Sequence, residues 1–222
     1  TPVEERPMPQ AIEVVTQEDS GLTARQAQKN KHRRALLDAA AGAIYRHGVR
    51  GTTIANIQEL SGLSRGMINL HFQSKENLLL AVAEDLANQY SENWQRAVSF
   101  EEPDPAKRLR AIIAADFTPE VMNERSLAVW FAFRAEIGTR PEYRPYLDSR
   151  NTGFWGILDQ TCREIVSVGD YTDVDPAVAA HAFLAILEGM WTDFHLHPDN
   201  YDRKKAINVC LAVARGFFPR HF

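Results

Sequence analysis

Apolar residues recur at helical spacing along most of this chain, and residues 52–75 show the most informative pattern. Two short apolar periods, at 54–60 and 67–72, are separated by a Ser-Gly-Leu break. Gly62 can adopt a positive φ at the end of a first helix, and Ser64 can cap a second helix through its hydroxyl. Two helices of about two turns with so short a connection are typical of a helix-turn-helix. In that motif the second helix enters the major groove of DNA.

The rest of the chain also shows helical periods, with no alternating strand pattern and no repeat of about 20–50 residues. A first helix is predicted from Arg25 or Lys29 to His47, and a long fourth helix from a cap at Ser74 to about Ser99. Further helices are predicted at about 106–117, 125–137, 146–166, 177–196 and 202–218. The predicted fold is all-α, with a three-helix DNA-binding domain joined by the long helix to a larger helical domain.

Three domains are expected from these patterns. Residues 1–24 mix prolines with scattered acids and show no sustained period, which predicts a mobile or loosely attached extension. The helix-turn-helix DNA-binding domain is expected over 25–75. The helical ligand-binding and dimerisation domain is expected over 76–222.

Homodimerisation is expected because one helix-turn-helix unit contacts too little DNA for tight binding, and pairing two units requires a dyad. The two long helices near the C-terminal end, at about 146–166 and 177–196, are the predicted dimer surface. Phe183 and Leu187 are the residues expected to face the partner.

Charge is distributed unevenly along the 222 residues, whose net charge is −4. Residues 25–75 contain nine basic and two acidic side chains, a net charge of +7, and the remainder contains 16 basic and 27 acidic, a net charge of −11. A basic module on an acidic body offers DNA one attractive face. The alternative for the basic run 29–34 is a solvated helix end without a partner.

Several side chains of this basic module can bind DNA. Arg65 can donate two parallel hydrogen bonds to a guanine, whereas Lys75 can neutralise a phosphate. Thr52 and Thr53 can leave the N–H groups of the second helix free for a phosphate, or can act as caps alone. The predicted DNA-binding residues are Lys31, Arg33, Thr52, Thr53, Ser64, Arg65, Gly66, Met67, Asn69, His71 and Lys75.

These motifs resemble the N-terminal DNA-binding domain of the TetR family of bacterial transcriptional regulators. The resemblance is carried by residues 35–48, 53–55, 61–66 and the run His71-Phe72-x-Ser74-Lys75-x-x-Leu78. It implies double-stranded operator DNA and a small-molecule effector as partners. One departure is that family members often carry aromatic residues before the His-Phe pair, one of them a phosphate contact, where this chain has Asn69 and Leu70.

The C-terminal body is similar to the ligand domain of choline-responsive repressors of glycine betaine synthesis. The likeness is carried by the runs 126–133 (SLAVWFAF) and 188–191 (EGMW). It implies a quaternary ammonium effector, and aromatic faces attract such cations. The predicted ligand-binding residues are Trp130, Phe133, Trp155, Trp191 and Phe194. These aromatic residues can equally be core, and the alternative effector is an uncharged apolar molecule in the same cavity.

Three carboxylates lie within or at the ends of apolar helices, namely Glu136, Glu188 and Asp193. Any of them can neutralise a cationic ligand. Each can also pair with Arg134 or face solvent, and this second interpretation is the preferred one.

An enzyme is the less favoured class. His195 and His197, with Asp193 and His181 nearby, are possible metal ligands of a helical metal-dependent enzyme, but side chains at i and i+2 on a helix point in different directions. The sequence contains no Gly-rich phosphate loop and no nucleophile elbow. No catalytic residue, metal ligand or cofactor is predicted.

Composition favours the cytoplasm and gives no sign of a membrane partner. Cys162 and Cys210 are too few to staple a chain of this size, and no run of about 18 uncharged apolar residues occurs. The acidic opening segment lacks the apolar core of a signal peptide.

Overall fold

The computed structural model describes residues 19–98, 103–149 and 153–222, and within these ranges it contains ten α-helices and no strand. Residues 1–18 of the predicted extension over 1–24 lie outside the described residues. The helices are α1 (Asp19–Gly51), α2 (Ile54–Ser61), α3 (Arg65–Phe72), α4 (Lys75–Ala97), α5 (Pro105–Ala115), α6 (Glu124–Glu136), α7 (Arg144–Leu147), α8 (Gly153–Gly169), α9 (Pro176–Leu196) and α10 (Arg203–Phe217).

Helix α1 begins earlier than the apolar pattern predicts, at Asp19 instead of Arg25 or Lys29. Residues 23–31 are exposed, so this first part packs against no core and needs no apolar period. At the other end Gly48 has φ 69° and ψ 172°, which interrupts the helical path. A positive φ of this kind is accessible to glycine at little cost.

The helix-turn-helix forms as its local signals predict, except at one cap. Thr53 and Asn56 form a reciprocal capping box at the start of α2, and Gly62 ends that helix with φ 67°. Ser64 occupies the cap position of α3, but its hydroxyl makes no hydrogen bond to the helix. The side chains of Ile57 and Ile68 are fully buried and hold the two helices against α1.

Helix α4 joins the two parts of the molecule. It begins at a cap in which the Ser74 hydroxyl accepts a hydrogen bond from the Asn77 N–H at 3.0 Å. Its apolar stripe, from Leu78 to Trp94, is buried on one face. Two ion pairs also connect α1 with the body: Arg34 pairs with Asp85 of α4 at 2.8 Å, and Arg50 pairs with Glu136 of α6 at 2.9 Å.

The helix predicted at about 146–166 is interrupted. The chain forms a 3₁₀ turn at Pro141–Tyr143, then the short α7, and leaves helical geometry at Asp148, which has φ −91° and ψ 104°. Helix α8 begins only at Gly153. The prediction was wrong here because apolar spacing alone does not report a change of chain direction.

Helices α8 and α9 lie side by side in the body, and α9 also packs on α6 and α10. Phe183 and Leu187, predicted to face a partner subunit, are instead buried in this core. The face of α9 that remains exposed carries Val178, His181 and Ala185. Within the described residues no helix combines the length and the apolar character that a membrane crossing requires.

Candidate DNA-binding surface and effector cavity

Helix α3 presents a clear outer face. Ile68 and Phe72 point into the core, whereas Arg65, Asn69 and Leu70 are exposed. Arg65 and Asn69 are four residues apart and share one face, and Leu70 shares the adjoining face with Gly66, four residues before it. The free hydroxyl of Ser64 and the exposed Gly66 lie beside them, and Met67 is half-buried.

Thr52 and Lys75 lie together behind this surface. The Thr52 side chain is fully buried, and its hydroxyl donates to the Gly48 carbonyl at 2.8 Å, so it has no access to a phosphate. Lys75 Nζ donates to the Thr52 carbonyl at 3.0 Å. An ammonium group has three donors, which leaves two of them for other partners. Thr53 is exposed, and its hydroxyl accepts from the Asn56 N–H.

The basic end of α1 flanks α3. Lys31 and Arg33 are exposed, and the Arg33 guanidinium lies 5.1 Å from the centre of the Phe72 ring. His71 is half-buried between α1 and α3, edge-on to His32, and neither ring nitrogen has a hydrogen-bond partner. Burial lowers the pKa of His71, with the cationic end of α1 adding to the effect. His71 therefore packs as a neutral ring at neutral pH.

A partly open cavity with a free volume of about 20 Å³ lies inside the helical body. Five aromatic rings line it, from Tyr90 of α4, Trp130 and Phe131 of α6, Phe154 of α8 and Trp191 of α9. The ring centre of Tyr90 lies 5.2 Å from that of Trp191 and 5.3 Å from that of Phe154, and the two tryptophan rings are 5.6 Å apart. A second cavity, also with a free volume of about 20 Å³, shares Tyr90, Trp130 and Trp191 with the first.

One buried carboxyl group, Asp116, lines the aromatic cavity. Its residue is 3% exposed, and it accepts a hydrogen bond from the Tyr90 hydroxyl at 2.7 Å. Its backbone carbonyl accepts a further bond from the Trp191 indole at 3.2 Å. Burial raises the pKa of Asp116 to about 7, and the hydrogen bond from Tyr90 acts in the opposite direction. Asp116 has no salt-bridge partner among the described residues, so its carboxylate is not neutralised.

The polar end of the cavity contains a neutralised ion pair. Arg134 donates to Glu188 at 2.7 Å, and the Ser149 hydroxyl donates to the same carboxylate oxygen. Burial raises the pKa of Glu188, but the hydrogen bonds from Arg134 and Ser149 outweigh it and hold that pKa below its ordinary value. Glu188 thus stays ionised and paired, as the sequence interpretation preferred.

Only two of the five aromatic residues predicted for the ligand site, Trp130 and Trp191, line the cavity. Phe133 packs on Tyr143 with ring centres 4.8 Å apart, and Phe194 packs on Tyr201 at 5.2 Å. Trp155 lies on the outer side of α8, with its ring 4.9 Å from that of His181. The sequence prediction missed Tyr90, Phe131, Phe154 and Asp116 as lining residues, although the three aromatic residues belong to predicted apolar helices.

The remaining polar groups singled out in the sequence lie apart from the cavity. Glu136 pairs with Arg50, and Asp193 pairs with His197 at 3.1 Å on the surface. The His195 ring packs on Phe131 at 4.9 Å. Across the ranges that the structure describes, no group of three or more His, Cys, Asp or Glu side chains can hold a metal ion.

A helix-turn-helix with a basic front, joined by a long helix to a helical body that encloses a cavity, defines a ligand-responsive transcriptional regulator. Residues 36–82 match the family model described as bacterial regulatory proteins, tetR family. Residues 105–219 match the model described as BetI-type transcriptional repressor, C-terminal. The chain therefore belongs to the TetR family of transcriptional repressors, with a BetI-type C-terminal domain, and is not an enzyme.

Individual relatives agree with this assignment. The chain is 27% identical over 176 residues to the HTH-type transcriptional regulator BetI of Serratia proteamaculans, covering 79% of this chain and 86% of that protein. BetI of Pseudomonas paraeruginosa is 28% identical over 175 residues, covering 78% and 86%. A crystal structure of a transcriptional regulator from Pseudomonas aeruginosa PAO1 superposes with a TM-score of 0.77 at 23% identity, covering 86% and 93%.

Proposed function

We propose that the effector of this repressor is a small organic cation, with choline as the first candidate, and that it binds inside the aromatic cavity. The observation that carries the proposal is the combination of five aromatic rings with one buried carboxyl group, Asp116, which no cation among the described residues pairs with. A quaternary ammonium group cannot donate hydrogen bonds. Its binding site therefore needs aromatic faces and a negative charge more than it needs hydrogen-bond acceptors.

The energetics favour such a ligand. A cation against an aromatic face gains about 0.5–2 kcal/mol, depending on how dry the site is. The carboxylate of Asp116 adds direct attraction, and a bound cation would in turn lower the pKa of that group. The paired Glu188 contributes less, because Arg134 already neutralises it.

The free volume of the cavity, about 20 Å³, is far below the roughly 300–1,000 Å³ that ligand pockets occupy. An effector must therefore move the lining side chains apart when it binds, which favours a small molecule. The alternative effector is an uncharged apolar molecule of similar size, which would favour the protonated form of Asp116. The two classes differ in whether binding favours the ionised carboxylate.

The coupling to DNA would run through α4. This helix carries Tyr90 of the cavity near its middle and Lys75 beside the helix-turn-helix at its first residue. An effector that favours a different tilt of α4 would change the separation of two recognition helices in a dimer. A hundredfold loss of operator affinity requires about 2.7 kcal/mol of differential binding, which is within the usual range of allosteric coupling.

Homodimerisation on the exposed face of α9 completes the proposal. Val178 is 56% exposed, and His181, Ala185 and Gly189 follow it at helical spacing on the same surface. Small residues allow close helix approach, and Trp155 of α8 borders the face through its contact with His181. Two copies related by a dyad would place two α3 helices on successive major grooves of operator DNA in the cytoplasm.

Tryptophan fluorescence during a choline titration tests the effector directly, because two of the four tryptophans line the cavity. We expect choline to change the emission of the native protein and of a Trp155→Phe control, whose tryptophan lies outside the cavity. A variant with Trp130→Phe and Trp191→Phe should lose the response. No change at millimolar choline, with operator binding also unaffected, would eliminate choline and leave the uncharged effector.

A further inference from the structure

The outer face of α3 contains one apolar side chain among polar ones. Leu70 is 70% exposed, and it points away from the core that Ile68 and Phe72 enter. Scattered exposed leucines are ordinary on protein surfaces. The position of Leu70 is informative, because this is the surface that a recognition helix turns towards base edges.

Gly66 lies one helical turn before Leu70 on the same face. A methyl group built at Gly66 would meet only the Ser64 hydroxyl oxygen, at 3.6 Å, which is an ordinary contact. The backbone of Gly66 has no positive φ, so neither space nor conformation within the folded chain requires glycine here. Glycine is also a poorer helix former than alanine, so the fold gains nothing from it.

The missing side chain at Gly66 leaves a shallow notch on α3, bordered by Leu70 on one side and Arg65 on the other. We propose that this notch receives the C5 methyl group of one thymine in each operator half-site, with Leu70 as the residue that distinguishes thymine from the other bases. Thymine is the base that presents a methyl group in the major groove. The DNA-binding function does not depend on this assignment, which concerns only what the helix reads.

Arg65, Asn69 and Leu70 differ in chemistry, so each can contact a different base of the same half-site. Arg65 can donate to a guanine and Asn69 can bind an adenine with two hydrogen bonds, whereas Leu70 has no polar group for either. Leu70 therefore distinguishes between bases at a single position of the operator, separate from those that Arg65 and Asn69 read. The thymine should therefore lie within a base pair or two of the positions that Arg65 and Asn69 read.

The test uses an operator selected from random duplexes with the full-length native protein. Each thymine of the half-site is replaced in turn by deoxyuridine, which removes only the methyl group. At one position, affinity should fall about fourfold per half-site, the factor that corresponds to about 0.8 kcal/mol per buried methyl. The Leu70→Ala variant should bind the native operator more weakly and show no response to that replacement.

Two further variants separate recognition from folding. Leu70→Met keeps an apolar contact of similar volume and should retain the response to deoxyuridine. Gly66→Ala should fold with an unchanged or raised melting temperature, yet lose affinity for the operator because its methyl group fills the notch. Unchanged thermal unfolding of Leu70→Ala would show that its effect on DNA does not come from the fold.

The outcomes separate the assignment from the DNA-binding function. A flat deoxyuridine scan on a duplex that the native protein binds tightly would overturn the thymine contact and leave DNA binding intact. A response that persisted in both Leu70→Ala and Gly66→Ala would overturn it too, because another residue would then contact the methyl group. Failure to select any duplex would refute operator binding itself.

Discussion

Replacement of Asp116 by asparagine offers a quantitative check on the buried carboxyl group. Asparagine keeps an oxygen that can accept the hydrogen bond from the Tyr90 hydroxyl, but it cannot ionise. In the native protein the pKa of Asp116 rises from 3.8 to about 7 in the folded state. A carboxyl group with a raised folded pKa contributes stability that is fully present below the unfolded pKa and is lost as pH rises through the folded pKa.

The magnitude follows from that shift. A change of about three pKa units corresponds to up to about 4 kcal/mol, at about 1.4 kcal/mol for each unit. We therefore expect Asp116→Asn to gain stability relative to the native protein as pH rises from about 4 to 8. Urea denaturation at pH 5 and pH 8 measures the gain, which should increase by about 2–3 kcal/mol between these two pH values.

Neighbouring groups do not titrate within the range of the measurement, pH 5 to pH 8. Burial raises the pKa of Tyr90 well above its ordinary value and that of Cys210 to about 12, and it also raises the pKa of Tyr201. The pKa of Glu188 lies below its ordinary value, so that group stays ionised. A stability difference between variant and native protein that did not depend on pH would refute the reasoning.

Further predictions concern the effector, the DNA contacts and the dimer. Choline should bind the native protein about tenfold more tightly at pH 8 than at pH 6, and calorimetry on Asp116→Asn should show a flat pH dependence. Arg65→Ala should cost about 1–3 kcal/mol of operator affinity and relax preference at one base, whereas Lys75→Ala should weaken binding to all sequences and flatten its salt dependence. Ala185→Glu should give folded monomers in sedimentation, whereas Phe183→Glu should unfold the body because that side chain is buried; dimers of Ala185→Glu would move the interface elsewhere.

Local signals explain why the helix-turn-helix could be predicted closely from the sequence. The capping box at Thr53, the left-handed Gly62 and the cap at Ser74 each act within a few residues of the chain. Ser64 does not follow its local signal, because occupying a cap position does not determine where the hydroxyl points. The burial of Thr52 could not be predicted locally either, because it depends on how the chain turns after Gly48.

The cavity depends on contacts between distant elements, and this is why the sequence predicted it only in part. Tyr90, Trp130, Phe154 and Trp191 come from four helices, and the rotation of each helix decides which aromatic side chain faces inward. The spacing of apolar residues along one helix shows which face is apolar, but it does not show which other helix packs against that face. Asp116 carried no periodic signal at all, because it follows the last turn of α5.

The hydrogen bond from Lys75 to the Thr52 carbonyl has a consequence for how the repressor can be switched. It links the first residue of α4 to the segment that precedes α2, so that the helix-turn-helix and the start of α4 form one rigid unit. Under the proposed switch, an effector that tilts α4 moves the helix-turn-helix without deforming it. We then expect release from the operator to come from the changed separation of the two helix-turn-helix units, and each unit to bind an isolated half-site equally well with and without effector.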